Sequence, residues 1–141
     1  MSWTPEPESA EDLGLLKIGE LAERVGLSLR TIRFYEEEGL VVPEGRTPGG
    51  FRLYSPTAVS RLELIKRMKP LGFTVEEMVE VLTTMDTLHD ETLAPQARAA
   101  LAQQLDTHQE RVETKAADLQ AKAARGRELG RYLRDVADLH R

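Results

Sequence analysis

The side chains best suited to bind a ligand lie between Ser28 and Tyr54, in the sequence SLRTIRFYEEEGLVVPEGRTPGGFRLY. The first third of this stretch predicts a short helix with a polar outer side, formed by Arg30, Thr31, Arg33 and Tyr35. Arginine presents a planar fork of donors that matches guanine edges and phosphates, and tyrosine presents a hydroxyl to a phosphate. The pattern indicates a helix that enters a groove of DNA, unless the two arginines form surface ion pairs with Glu36 and Glu37.

A basic hairpin is predicted directly after this helix. Two runs with β propensity, 40–42 and 51–54, are separated by eight residues that include two prolines and three glycines. That composition is typical of an irregular turn. Arg46 is expected at its tip, and Arg52 alternates with Phe51 and Leu53 in the second strand. Such a wing would hold arginines against the sugar-phosphate backbone and fix the register without reading the sequence.

Four short helices are predicted to position these side chains. Apolar residues at helical spacing predict a first helix that ends at Gly26, and Ser28 is expected to cap the second. Ser55–Pro56 is a start signal for the third helix, and Thr74 with Glu77 forms a capping box at the fourth. A helix-turn-helix therefore precedes the wing and a second helix pair follows it.

A long helix is predicted after Pro95, because residues 96–125 contain neither glycine nor proline. A polar helix of about 45 Å needs a packing partner. Its expected seam consists of Leu101, Leu105, His108, Val112, Ala116 and Leu119. A strict heptad would bury Lys115 and Lys122, so a nearly straight helix paired with a second copy is predicted. Gly126 and Gly130 are expected to break or loosen it.

The charge distribution is compatible with a DNA-binding segment inside an acidic chain. The whole sequence has a net charge of -5, yet residues 13–73 carry ten lysines and arginines against seven glutamates. The positive potential is therefore confined to the part that holds the predicted helix and wing. Without cysteine, disulfides, thiolate metal sites and cysteine nucleophiles are excluded.

Several classes of protein are not supported by any motif. The sequence has no nucleophile–base pair, glycine-rich phosphate loop or metal-ligand spacing, so neither an enzyme nor a cofactor is expected. His89, His108 and His140 each stand alone, and no metal site is predicted. No apolar run approaches the roughly 18 residues of a membrane span. The acidic start lacks the pattern of a signal peptide, and a cytoplasmic location is expected.

The combination of TIRFYEEEGLV, Pro43, Arg46, GGFRLY and LGFTVEEM resembles the DNA-binding domain of MerR-type bacterial transcription regulators. The resemblance is close from Leu16 to about Met85 and extends in architecture to Arg125. It implies a mainly α fold: a winged helix-turn-helix DNA-binding head with a small β-hairpin wing, then a long antiparallel coiled-coil dimerisation helix. The expected divisions are a disordered tail (1–14), the head (15–85), a connection (86–94), the dimerisation helix (95–125) and a short C-terminal helical or effector region (126–141).

The resemblance also implies a mechanism. A homodimer would bind a palindromic promoter operator in double-stranded DNA and distort it so that RNA polymerase engages both promoter elements. By position, the recognition helix contributes Arg30, Arg33 and Tyr35; the wing contributes Arg46, Phe51 and Arg52; and Lys69 would contact a phosphate after the third helix. Phe51 stands where tyrosine is more usual in the family.

Control by an effector is the least defined expectation. Metal- and redox-sensing family members use cysteines, which this sequence lacks, so a small organic effector or none is expected. A pocket would form between the long helix, the 86–94 connection and an apolar patch around Tyr132. The alternatives are a plain repressor or architectural, excisionase-like DNA-binding protein without ligand control, and a coiled-coil interaction module that never binds DNA.

Overall fold

The computed structural model describes residues 14–141, so the predicted tail over 1–14 lies, except for Gly14, outside the described residues. The chain forms two compact units that meet between Thr83 and Thr84, called here the N-terminal and C-terminal units. In the described range, no helix combines the length and apolar character needed to cross a membrane.

The fold is mainly helical with one small sheet, as predicted. The elements are β1 (Leu16–Lys17), α1 (Ile18–Val25), α2 (Leu29–Glu37), β2 (Gly45–Arg46), β3 (Arg52–Tyr54), α3 (Pro56–Met68), a 3-10 turn (Lys69–Leu71), α4 (Val75–Leu88) and α5 (Pro95–Asp138).

The helix-turn-helix forms as the cap residues predicted. Gly26 ends α1 with φ 70°, and its N–H donates to the carbonyl of Ala22 at 2.9 Å. The Ser28 hydroxyl accepts from the N–H of Thr31 at 3.1 Å and starts α2. Because these contacts are local, they can be predicted without knowledge of distant packing.

The sheet differs from the predicted hairpin. Residues 40–42 form no strand: β3 pairs with residues 45–46 instead, and Leu40 and Val41, 1% and 0% exposed, pack into the core. The strand order is β1-β3-β2, and both pairings are antiparallel. β2 supplies one partner of β3, and β1, which was not predicted, supplies the other.

A single core holds the N-terminal unit together. It draws on every helix from α1 to α4, on the segment that follows α2 and on β3. Its fully buried side chains include Tyr54, Leu21, Ile32, Leu40, Leu62 and Ile65. The fourth helix is capped as predicted: the N–H of Glu77 donates to Thr74 Oγ1 at 3.1 Å, and the N–H of Thr74 donates to Glu77 Oε1 at 3.0 Å. Ser55 makes no side-chain cap, so Pro56 alone marks the start of α3.

The last helix is longer than predicted. α5 runs for 44 residues from Pro95 to Asp138, about 66 Å, and the expected break at Gly126 and Gly130 is wrong. Glycine costs a helix interior only about 1 kcal/mol relative to alanine, and the helix-forming residues on both sides outweigh that. The region 126–141 is therefore mostly a continuation of α5.

Gly39 and Gly19 should respond to alanine in opposite directions. Gly39 ends α2 with φ 78° and has nothing within 4 Å of its Cβ position, so Gly39→Ala should cost about 1–2 kcal/mol of stability from backbone strain alone. Gly19 lies inside α1 with equally open space, so Gly19→Ala should gain about 0.5–1 kcal/mol. Urea unfolding of both variants tests this, and shifts of the same sign would contradict it.

Candidate nucleic-acid interface

The outer side of α2 carries two free arginines. Arg30 and Arg33 are exposed, and within residues 14–141 neither makes a side-chain hydrogen bond or ion pair. The ion pairs with Glu36 and Glu37 that were the alternative are absent there, because Glu36 is engaged by residues of β3 instead. Both guanidinium groups are therefore available to an external anion.

The other two predicted residues of α2 behave differently. Tyr35 is only 4% exposed, so its expected outward position is wrong: it follows the buried Ile32 by three residues and shares its core-facing side. Thr31 is half-buried, and its hydroxyl lies 2.8 Å from that of Ser28. Phe34, which the sequence analysis did not single out, is 44% exposed on the outer side.

An open groove of about 420 Å³ lies between α2 and the segment that joins α3 to α4. It brings together four of the predicted DNA-binding residues and an apolar floor, and is lined by Arg30, Thr31, Phe34, Tyr35, Lys69, Phe73, Val75 and Met78. Lys69 is exposed and has no ion pair in the described range. The groove thus combines two unpaired cations with aromatic and aliphatic surface, which suits a sugar-phosphate strand.

The wing is a short, tightly closed hairpin. The N–H of Thr47 donates to the carbonyl of Phe51 at 2.8 Å, and the N–H of Gly50 donates to the carbonyl of Thr47 at 2.8 Å. Arg46 lies just before this turn rather than at its tip, directly opposite Arg52 in the sheet register. Phe51 is 67% exposed. The three predicted wing residues are therefore all at the surface.

A polar network ties the wing to the end of α2. The Tyr54 hydroxyl donates to Glu36 Oε2 at 2.7 Å, and Arg52 Nη1 lies 2.9 Å from Glu36 Oε1. Arg61 of α3 donates to the carbonyl of Leu40 at 2.7 Å and holds the segment that follows α2. Burial and the bond to Glu36 raise the pKa of Tyr54 to about 12.

Alkaline pH should destabilise the N-terminal unit through Tyr54. The unfolded chain loses this proton near pH 10, whereas the folded protein keeps it to about pH 12. The stabilisation is therefore complete below pH 10 and declines as the pH rises to 12. Urea midpoints measured across this range should fall less steeply for Tyr54→Phe than for the unmodified protein, and equal slopes would exclude Tyr54 as the cause.

The C-terminal unit carries the predicted dimerisation residues along α5. Leu101, Leu105, His108 and Ala116 are half-buried, whereas Val112 and Leu119 are 37% and 39% exposed. His108 Nδ1 is buried and has no hydrogen-bond partner among residues 14–141. Arg98, which the sequence analysis missed, donates to the carbonyls of Leu88 and Asp90 at 2.8 Å and ties the connection to α5. The apolar side chains at these positions remain partly exposed, so this side of α5 could pack against a further surface.

The predicted effector region lies on the exposed last part of α5. Tyr132 is 64% exposed, and a shallow depression of about 330 Å³ nearby is lined by Arg127, Gly130, Arg131 and Arg134. Among the described residues, no group of three potential metal-ligating side chains comes together.

Comparison with known proteins identifies the family. Residues 16–85 match the model for the MerR HTH family regulatory protein, and residues 59–127 match the model described as MerR, DNA binding. The chain therefore belongs to the MerR family. Its relatives are named as regulators, in agreement with the expectation of a non-enzymatic protein.

Two relatives illustrate the extent of the similarity. The mercuric resistance operon regulatory protein of Bacillus cereus is 47% identical over 70 residues, which cover 50% of this chain and 53% of that protein. The chain thus spans about half the length of the curated relatives it matches. A second relative is the transcription regulator PbrR691 from Ralstonia metallidurans CH34, whose crystal structure is in complex with lead(II). Its sequence is 33% identical and the TM-score is 0.50. The match covers 82% of this chain and 86% of the PbrR691 chain.

A third structure supports the fold alone. The MerR family regulator HiNmlR, described as lacking the sensor domain and bound to promoter DNA, is 24% identical with a TM-score of 0.60. The match covers 84% of this chain and 86% of that chain. At this identity the likeness concerns the fold and nothing further.

Proposed function

We propose that the protein is a sequence-specific DNA-binding transcription regulator that acts on a promoter operator. The observation that carries the proposal is the pair of exposed arginines on α2, Arg30 and Arg33, which have no ion pair within residues 14–141. Arg30 also lines the groove that contains Lys69. A helix-turn-helix with such a surface binds the major groove through its second helix. Membership of the MerR family supports the same function.

Each exposed residue is assigned a role by its chemistry. Arg30 and Arg33 contact base edges or phosphates in the major groove of the DNA, and Thr31 and Lys69 contact the DNA backbone beside it. The wing places Arg46, Phe51 and Arg52 on the neighbouring sugar-phosphate strand. Tyr35 supports this surface from the core rather than reaching the DNA through its ring.

A homodimer formed through α5 is part of the proposal. The half-exposed apolar positions of α5 need a partner, and a second copy supplies a matching surface. Within α5, residues 95–118 hold three lysines and arginines against four acids, whereas residues 119–138 hold five against three. An antiparallel pair places the slightly acidic half of each helix against the basic half of the other. Two heads related by a two-fold axis then bind a palindromic operator.

The regulator controls transcription by distorting the promoter DNA for RNA polymerase, with a small organic effector or none, in the cytoplasm. The absence of cysteine supports an effector other than a thiolate-bound metal. Mercury and lead, which appear in the names of two relatives, are not assigned to this protein. The second candidate is a plain repressor that needs no ligand, and the 64% exposure of Tyr132 favours it.

Selection of binding sites from random duplex DNA tests the proposal. The full chain should enrich a palindrome with two half-sites and bind it with a stoichiometry of two chains per duplex. A transcription assay with that site between promoter elements then separates the two candidates, since activation supports the regulator and occlusion alone supports the plain repressor. Failure to enrich any sequence would contradict the function.

A further inference from the structure

Three glutamates follow one another at the end of α2, and only the first is anchored. Glu36 accepts a 2.7 Å hydrogen bond from the Tyr54 hydroxyl and pairs with Arg52 at 2.9 Å. Glu37 and Glu38 are exposed, and in the part of the chain that the structure describes their side chains make no hydrogen bond or ion pair. The three adjacent residues carry the same charge but differ in their contacts. Substitutions at Glu36 and Glu37 can therefore distinguish the effect of these contacts from the effect of the charge.

The wing contains an electrostatic conflict that Glu36 relieves. Arg46 and Arg52 are directly opposite each other on β2 and β3. Like charges at such positions destabilise a hairpin. The Glu36 carboxylate is placed against Arg52 and reduces this repulsion, while the same carboxylate also binds Tyr54, which is fully buried in β3. One side chain therefore both compensates the wing charge and joins β3 to α2.

Arg52 keeps an accessible surface in this arrangement. The Glu36 side chain is 13% exposed, whereas the Arg52 side chain is 46% exposed. An arginine has five N–H donors, and one terminal nitrogen facing Glu36 leaves others for a second acceptor. The guanidinium can therefore be held from the protein side and still bind a phosphate from the solvent side.

We propose that Glu36 is a positioning residue for DNA binding, which holds Arg52 and the wing in the orientation that contacts the DNA backbone. This inference rests on the proposed function. Removal of a negative charge should by itself reduce repulsion from the phosphates and raise the affinity for DNA. The proposal predicts the opposite for Glu36: its removal lowers the affinity for DNA. Removal of the neighbouring charge at Glu37 does not.

Glu36→Gln in the full chain is the direct test, because it keeps the shape of the side chain and removes its charge. Binding to the selected operator should weaken about tenfold. The slope of log K against log salt should fall by about one for each half-site. The matched control Glu37→Gln should bind equally well or up to about threefold more tightly, with an unchanged slope. In an Arg52→Gln background, Glu36→Gln should lose most of its effect, since only the contact of Glu36 with Tyr54 remains.

Three outcomes overturn the proposal. Equal affinities of Glu36→Gln and Glu37→Gln would do so, and so would a loss that persists in full in the Arg52→Gln background, since that loss would reflect folding alone. If circular dichroism shows that Glu36→Gln is unfolded, Tyr54→Phe replaces it: this variant keeps the buried ring, removes one bond to Glu36 and should weaken binding severalfold. Unchanged affinity of that variant is the third. An unmodified protein that binds no operator refutes the proposed function instead.

Discussion

Replacing Arg30 and Arg33 together by alanine should weaken operator binding by at least about 30-fold, since each bidentate arginine contact contributes roughly 1–3 kcal/mol of discrimination. Both side chains are exposed and without an ion pair in the described range, so their removal leaves no partner unsatisfied. The melting temperature should therefore stay within a few degrees of that of the unmodified protein. Fluorescence anisotropy with the selected operator and with a scrambled duplex measures the loss.

The control for this double variant is Arg24→Ala. Arg24 is exposed in the last turn of α1, outside the groove, and its removal lowers the charge without touching the proposed interface. Its effect should be confined to a small uniform loss on both duplexes. The assignment of α2 as the recognition helix is wrong if the double variant retains its preference for the operator over the scrambled duplex.

Leu105→Asp should convert the protein to a monomer and reduce operator affinity by about 10²–10⁴-fold. Leu105 is half-buried in the centre of the proposed α5 seam, and a dimer would bury two of the introduced carboxylates without partners. A monomer binds one half-site only, so the gain from joining two binding modules is lost. Sedimentation velocity gives the oligomeric state, and anisotropy on the same sample gives the affinity.

Gln103→Asp provides the matched control for the seam. It introduces the same charge two residues away, on the opposite side of α5, where Gln103 is exposed. This variant should remain dimeric and bind the operator normally. If both aspartate variants remain dimers of equal affinity, the seam through Leu101, Leu105 and His108 is not the pairing surface.

The parts of the fold that depend on neighbouring residues could be predicted from the sequence. The Gly26 stop, the Ser28 cap and the Thr74–Glu77 capping box all form through contacts within a few residues. The strands could not, because two-residue strands carry no periodic signal and their pairing is decided by distant residues. Leu40–Val41 has strong β propensity, yet β3 pairs with residues 45–46 instead.

The same distinction holds for the candidate site. The exposed arginines of α2 followed from the helical pattern, but the contact of Glu36 with Arg52 and Tyr54 joins residues that are 16 and 18 positions apart. No local rule selects Glu36 from three identical neighbours. The outward position predicted for Tyr35 depended on the ability of its hydroxyl to bind a phosphate. Its spacing from Ile32 indicates the core side instead.

The two glycines inside α5 bear on how the chain opens locally. Gly126 and Gly130 have nothing within 4 Å of their Cβ positions, so no packing offsets the cost of fixing their backbone. Leu129, between the two glycines, and Leu133, beyond them, are 58% and 57% exposed. The last turns of α5 therefore require less free energy to unwind than the turns around Leu105. Their amide protons should exchange with solvent deuterium first, and a partner that covers this end would slow them most.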